Sequence, residues 1–322
     1  MSRRVTARAP AKAILFGEHF VVSGTRAVSS AVGAYTIVNV EEKASWPSEL
    51  ASRELGIRAL VLGPDGSFSG PEEFRPIAFV IRALTMRGYD VPPFSLSIST
   101  EIPDGAGLGS SASVSAASAL ALLGLAGSDV SRDDLYSITL EGERAAHGNP
   151  SGVDPASVVH GGIILFSRER GVIERVEGVD DSLLIIADSG IRRKTYAPVT
   201  GVLNLLKRLE YFRDELLRAA DSLVMMAWDA LKRKRTEELG ILMNVNHGLL
   251  SSIGVSTWEL DAMVHAARRA GALGSKLTGA GLGGSIIALV RPESEEAVRK
   301  ALSPMSRWIR IFHLGAEGAA LV

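Results

Sequence analysis

The stretch Pro103-Asp104-Gly105-Ala106-Gly107-Leu108-Gly109-Ser110-Ser111-Ala112 joins an alternating run (Phe94 to Thr100) to a long segment of small residues (Ser111 to Leu125). The alternation predicts a strand, and the small-residue segment predicts a helix. Glycines let backbone amides converge on an anion, while a helix start offers unpaired N–H groups and the positive end of the dipole. The two serines add hydroxyls that can donate to phosphate oxygens or hold a divalent cation. No Gly-Lys-Ser/Thr closes the stretch, so it is not a P-loop of the Walker type. A strand, a turn with amides facing one point, and a helix leading away from it are the constraints this segment imposes. A plain serine-capped turn would also fit them.

The chain has 322 residues, 46% of them hydrophobic, enough for one large core or two medium ones. Net charge is -1, which excludes a whole-chain basic field for nucleic acid. There is no cysteine, so disulfide frameworks, thiolate metal sites and thiol catalysis are excluded together. The first residues lack the apolar centre of a signal peptide, and the run near Ala116 to Leu125 is too short to cross a bilayer. A soluble protein with no membrane or nucleic-acid partner, cytoplasmic in location, is the expectation.

Strand-like runs at Val5–Ala9, Ala11–Phe16, Tyr35–Val40, Ser95–Thr100 and Ile163–Phe166 surround helical patterns at Pro76–Arg87, Ser111–Leu125 and Arg132–His147. After a stretch rich in charge and glycine, from Arg168 to Gly178, the pattern restarts at Leu183–Asp188. Residues from about Gly201 to Leu250 read as helix, followed by strands at Gly274–Thr278 and Gly284–Val290, a helix at Ser294–Leu302 and a strand at Trp308–Leu314. Strands and helices mix without strict alternation, which predicts α+β rather than a doubly wound sheet. The restart predicts two domains, 1–175 and 176–322.

Three further segments carry chemistry. In Ala9-Pro10-Ala11-Lys12-Ala13-Ile14-Leu15-Phe16-Gly17-Glu18-His19, Lys12 interrupts an apolar run, so its ammonium needs a partner, a ligand, or a route to solvent. In the segment Glu141 to Asp154, a helix carrying Glu143 ends at a Gly/Asn/Pro/Ser/Gly loop that delivers Asp154. Two carboxylates so placed could hold a cation and orient a hydroxyl, or Asp154 could simply cap a helix beginning at Pro155. His147 reads as a helix C-terminal residue. The segment Lys276 to Ser285 matches G-x-G-x-x-G at Gly279, Gly281 and Gly284, yet a strand-like run follows where a dinucleotide fingerprint needs a helix. A glycine hairpin packed close to another backbone fits better. A protein-kinase loop is excluded because neither H-R-D nor D-F-G occurs.

In this order and spacing the four segments resemble the GHMP small-molecule kinase superfamily, from about Ala9 to Ser285. The opening Ala9-Pro10-Ala11-Lys12, continued by Leu15 to Val22, and the element His147 to Asp154 are most similar to the mevalonate kinase family, as is Asn244 to Leu250. The resemblance implies a ribosomal-S5-like N-terminal domain, a ferredoxin-like C-terminal domain and an active site between them. It implies transfer of the γ-phosphoryl group of ATP to the primary hydroxyl of mevalonate, with Mg2+ as cofactor, and it is compatible with a homodimer. By the same resemblance Asp154 and Lys12 are the catalytic pair. Pro103, Gly105, Ala106, Gly107, Leu108, Gly109, Ser110, Ser111 and Ala112 cradle the nucleotide phosphates, and Ser111 and Glu143 hold Mg2+. Glu18, His19, Arg193, Thr195 and Gly281 face the acceptor. Other acceptors in the superfamily (phosphomevalonate, a sugar) and a non-catalytic nucleotide-gated regulator remain the alternatives.

Overall fold

The computed structural model describes residues 2–103, 105–148, 150–179, 181–191 and 197–322, without the side chains of 197–199. The chain forms β1 (Arg4–Phe16), β2 (Arg26–Glu42), β3 (Ser48–Ser52), β4 (Ile57–Val61), β5 (Phe68–Ser69), α1 (Arg75–Met86), β6 (Phe94–Thr100), α2 (Ser110–Leu125), α3 (Arg132–His147), α4 (Val153–His160), β7 (Ile163–Ser167) and β8 (Gly171–Val176). It continues with β9 (Leu183–Asp188), α5 (Ala197–Arg208), α6 (Glu210–Lys232), α7 (Thr236–Ser252), α8 (Trp258–Arg269), β10 (Gly274–Leu277), β11 (Ser285–Val290), α9 (Glu295–Leu302), β12 (Trp308–Phe312) and β13 (Ala320–Leu321).

Two sheets organise these elements. The first runs β13-β1-β2-β6-β3-β4-β5, with β7 and β8 branching from β2. Its long strands β1 and β2 pair antiparallel with a register shift between Pro10 and Ala11, so the two runs expected on either side of Pro10 are one irregular strand. Helices α1, α2, α3 and α4 bury their apolar faces, among them Ile77, Ile81, Ala112, Ala116, Leu135 and Val158, in one core with Val38, Leu50 and Leu96 of this sheet. The second sheet has the order β10-β11-β9-β12, all antiparallel. That order, with helices inserted after its first and third strands, is the split βαβ arrangement of ferredoxin-like domains.

The sheets are not independent. Ala11, Ala13, Phe16 and Val28 of the first share a buried cluster with Leu184 and Ile186 of β9, Ile287 of β11 and Trp228 of α6. A division by sheet falls between Val176 and Leu183, close to the expected boundary. The last residues nevertheless cross back, because Ala7 pairs with Leu321 and Arg8 with Ala320. The expected second domain, 176–322, thus omits the return of the tail to the first sheet. The apolar letters of that tail could not announce it, since pairing over such a sequence separation leaves no local periodicity.

Strand β10 is a sheet edge whose outward backbone groups need partners. Side chains of α7 supply them: Asn244 Oδ1 accepts from the Ser275 amide (3.0 Å) and His247 Nδ1 from that of Leu277 (3.4 Å). His247 Nε2 donates to Asp261 (3.0 Å), and burial, followed by Arg268, pushes its pKa down to about 4, so the ring is neutral. The helix reaches the strand because two glycines meet back to back. A Cβ on Gly240 would lie 2.6 Å from the Leu273 backbone, and one on Gly274 2.1 Å from the Gly240 carbonyl oxygen.

This contact yields a matched pair of variants. Alanine is the better helix former, yet Gly240→Ala should destabilise by about 1–3 kcal/mol through overpacking. Gly248→Ala in the same helix meets nothing within 4 Å and should be neutral or stabilising by up to about 1 kcal/mol. Urea unfolding of both distinguishes them; equal effects would show that the close approach does not matter.

Candidate active site

Strand β1 carries Lys12 into the interior, where its side chain is 3% exposed. A buried ammonium needs charge compensation and acceptors. Asp154, in the first turn of α4, supplies the first, with Oδ1 3.0 Å from Nζ. The Gly107 carbonyl, also at 3.0 Å, supplies the second. The helix that positions Asp154 begins at Val153, two residues earlier than Pro155, behind Gly152 at φ 90°. Asp154 therefore serves an ion pair while sitting where a helix dipole favours an anion. Lys12 and Asp154 are brought together.

The glycine loop is shaped by what holds its carbonyls. Ala106 O accepts from Ser285 Oγ (3.1 Å), Gly107 O from Lys12 Nζ and Leu108 O from the Lys12 amide (2.9 Å). Three successive carbonyls thus point into the protein. Gly109 then serves as the N-cap of α2 at φ 74°, a conformation that suits glycine, and a Cβ there would lie 2.9 Å from the Lys12 stem. No side chain caps α2. The first-turn amides of Ser110, Ser111 and Ala112 have no helical acceptor, which makes this end an anion site. Asp104 lies outside the described residues.

Glu143 arrives from the last turns of α3, which packs tightly on α2 because Gly142 has no Cβ to strike Ser115 Oγ. Its carboxyl is buried, and burial first, then the charge of Asp154, raises its pKa to about 7 against smaller opposing effects of Ser111 and Lys12. Ser111 Oγ and Glu143 Oε1 are both buried without a partner at hydrogen-bond geometry. Two such orphaned oxygens fit a hard cation whose other ligands come from phosphate or water. Among the described residues no group of three or more His, Asp and Glu side chains could hold a metal by itself. His147 ends α3 as expected, 3.9 Å from Glu143 Oε2 and largely exposed.

The residues expected to face an acceptor separate. His19 is buried in the turn after β1 at φ 63°, ψ -47°, and its Nε2 donates to Ala280 O (3.1 Å). Gly281 is buried against Val255, where a Cβ would lie 2.2 Å from the carbonyl oxygen, so this close approach needs glycine. Glu18, also expected to face the acceptor, is tied to groups of the protein itself. It is 2% exposed, with Oε1 on Lys276 Nζ and Oε2 on Asn246 Nδ2. Arg193 and Thr195 lie outside the described residues. Sequence reasoning missed Lys276, Asn246 and Ser285, although Lys276 and Ser285 bound the glycine hairpin it had singled out.

Family models for the N-terminal and C-terminal domains of GHMP kinases match residues 77–162 and 227–306. A mevalonate kinase of Aeropyrum pernix is 37% identical over 322 residues, covering 100% of this chain and 99% of that protein. The chain belongs to the GHMP kinases, within the mevalonate kinase family. The crystal structure of L. major mevalonate kinase in complex with R-mevalonate superposes with a TM-score of 0.82 at 27% identity, covering 99% of this chain and 100% of that one. A Lactococcus lactis galactokinase complexed with galactose gives 0.86 at 22% identity (99% and 95% covered), a likeness of fold alone.

The raised pKa of Glu143 makes a pH prediction. The folded carboxyl keeps its proton up to about 7, whereas the unfolded one releases it near its ordinary value of 4.5. Between those values the folded state binds more protons, so stability falls as pH rises through that window and levels off above it. Thermal melts in chelator from pH 4 to pH 8 should show that fall in the parent and its loss in Glu143→Gln. Superimposable profiles would rule it out.

Proposed function

We propose that this GHMP kinase transfers the γ-phosphoryl group of ATP to the primary hydroxyl of mevalonate. The observation that carries the reading is the Lys12–Asp154 pair at 3.0 Å, tied through Gly107 to the loop that would bind the phosphates. The name of the Aeropyrum pernix relative and the mevalonate in the L. major structure support the choice of acceptor.

Phosphoryl transfer needs positioning and charge neutralisation more than covalent help. The carbonyls of residues 106–108 are held away, so the loop and the first turn of α2 offer N–H groups in a fixed arrangement. Little reorganisation is then required when the triphosphate binds. Asp154 is the carboxylate that would orient the acceptor hydroxyl and accept its proton. Lys12, paired with that carboxylate at 3.0 Å, would place positive charge near the entering oxygen. Ser111 and Glu143 would hold Mg2+, which when bound neutralises charge on the phosphate oxygens. Mg2+ loading would draw Glu143 into its ionised form and release a proton.

Purified protein with ATP should consume ATP with mevalonate and leave phosphomevalonate and galactose untouched. Turnover on either of those instead would reassign the acceptor. Asp154→Asn should lower kcat by roughly a thousandfold, from loss of the general base, with ATP affinity retained. Near-normal turnover would remove Asp154 from the reaction. Ser285→Ala frees the Ala106 carbonyl and should raise the KM for ATP by about fivefold, the effect of about 1 kcal/mol from one lost hydrogen bond, while leaving that for mevalonate nearly unchanged. Equal changes in both constants would show a general disturbance.

A further inference from the structure

Lys276 is completely buried on β10, and its Nζ donates to Glu18 and to its neighbour's carbonyl, Leu277 O, at 2.8 Å. Glu18 belongs to the turn that follows β1, and its second oxygen takes Asn246 of α7 at 3.2 Å. One ion pair therefore joins the first sheet's catalytic strand to the edge strand of the second. Two more ties run beside it: Thr278 Oγ1 donates to Ile14 O (3.2 Å), and His19 Nε2 donates to Ala280 O (3.1 Å). No strand ladder connects residues 14–19 with residues 276–280; side chains do all of the joining.

Stability alone is a weak reason for such a pair. Apolar residues of similar shape often replace a buried ion pair at no loss, whereas removing one partner strands a charge. What the pair holds is unusual. His19, next to Glu18, has a backbone conformation that side chains bearing a Cβ rarely adopt, and such conformations persist only when their surroundings over-determine them. The amides just beyond are fixed to the same turn, Phe20 N–H to Glu18 O (2.7 Å) and Val21 N–H to Gly17 O (3.0 Å). Lys276 also lies within the electrostatic reach of Lys12, so the two buried lysines sense one another.

We propose that Lys276 is a positioning residue for phosphoryl transfer, acting through Glu18 to hold His19 and the 279–284 hairpin in register on the acceptor side. The assignment rests on the kinase reading above. It gives Glu18 an indirect part, in place of a direct contact with substrate.

Three variants test it: Lys276→Met, Glu18→Gln and the two combined. Each single change strands or discharges a buried group and should lower the melting temperature. The combined variant has no unpaired charge and should regain most of it. If the pair positions the acceptor side, the combined variant still shows a mevalonate KM raised at least about tenfold, with the KM for ATP within about twofold of the parent. Amide exchange at Phe20 and Val21, read without any substrate, should be faster in it than in the parent. A combined variant that recovers stability together with the parent's mevalonate KM, or with unchanged exchange at those amides, overturns the proposal. Failure of the parent to phosphorylate mevalonate, seen before any variant is made, would instead overturn the functional reading on which it rests.

Discussion

One buried charge organises this molecule. Lys12 sits inside a strand at 3% exposure, and an ammonium there is tolerable only with an anion and acceptors at hand. Its partners come from different parts of the chain: Asp154 from the start of α4 and the Gly107 carbonyl from the glycine loop. The Lys12 stem also sets the space that Gly109 must leave empty. Satisfying one ammonium therefore fixes the distance between the glycine loop and the carboxylate. On the proposed function, the requirements of folding and of phosphoryl transfer coincide at this residue.

The second sheet completes that arrangement from the other side. Ser285 of β11 holds the Ala106 carbonyl, while Lys276 of β10 reaches Glu18 in the turn after β1 and Thr278, just beyond β10, reaches Ile14 of β1. Beneath these polar ties lies an apolar cluster shared by both sheets, including Phe16, Trp228 and Ile287. Separating the domains would expose that cluster and strand Glu18 opposite Lys276. Interfaces that are large and hydrophobic restrain domain motion. The glycine loop and the turn after β1 are thus held in one frame.

Much of this was legible in the letters, for identifiable reasons. Helices α2 and α3 and strand β9 lie at or within a residue of the expected bounds; α3 marks its own ends with the Ser131 cap and Gly148. Strands β3 and β4 escaped notice because each is five residues long and is interrupted by a charged letter, Glu49 in one and Arg58 in the other. Helix α8 was missed despite a readable signal: Thr257 accepts from the Leu260 amide as an N-cap, and Leu260, Met263, Val264 and Ala267 recur at helical spacing. The local motifs announced the loop, Lys12, Glu143 and Asp154. They could not announce Asn246 or Ser285, whose parts come from contacts across 228 and 179 residues.

The likeness to a galactokinase as well as to mevalonate kinases sharpens what decides specificity. Two sheets, an amide-lined turn and a helix start can serve any alcohol acceptor, because they address the phosphate. Discrimination among acceptors must come from groups that meet the alcohol, and a fold alone does not supply it. In this chain the turn after β1 is the part of the frame that faces neither phosphate nor core alone. Its histidine is held in an uncommon backbone conformation by a carbonyl of the opposite sheet. Strain of that kind persists only where neighbouring contacts enforce it. The buried Glu18–Lys276 pair adjoins His19, and on the proposal above acceptor geometry is controlled at the junction of the two sheets.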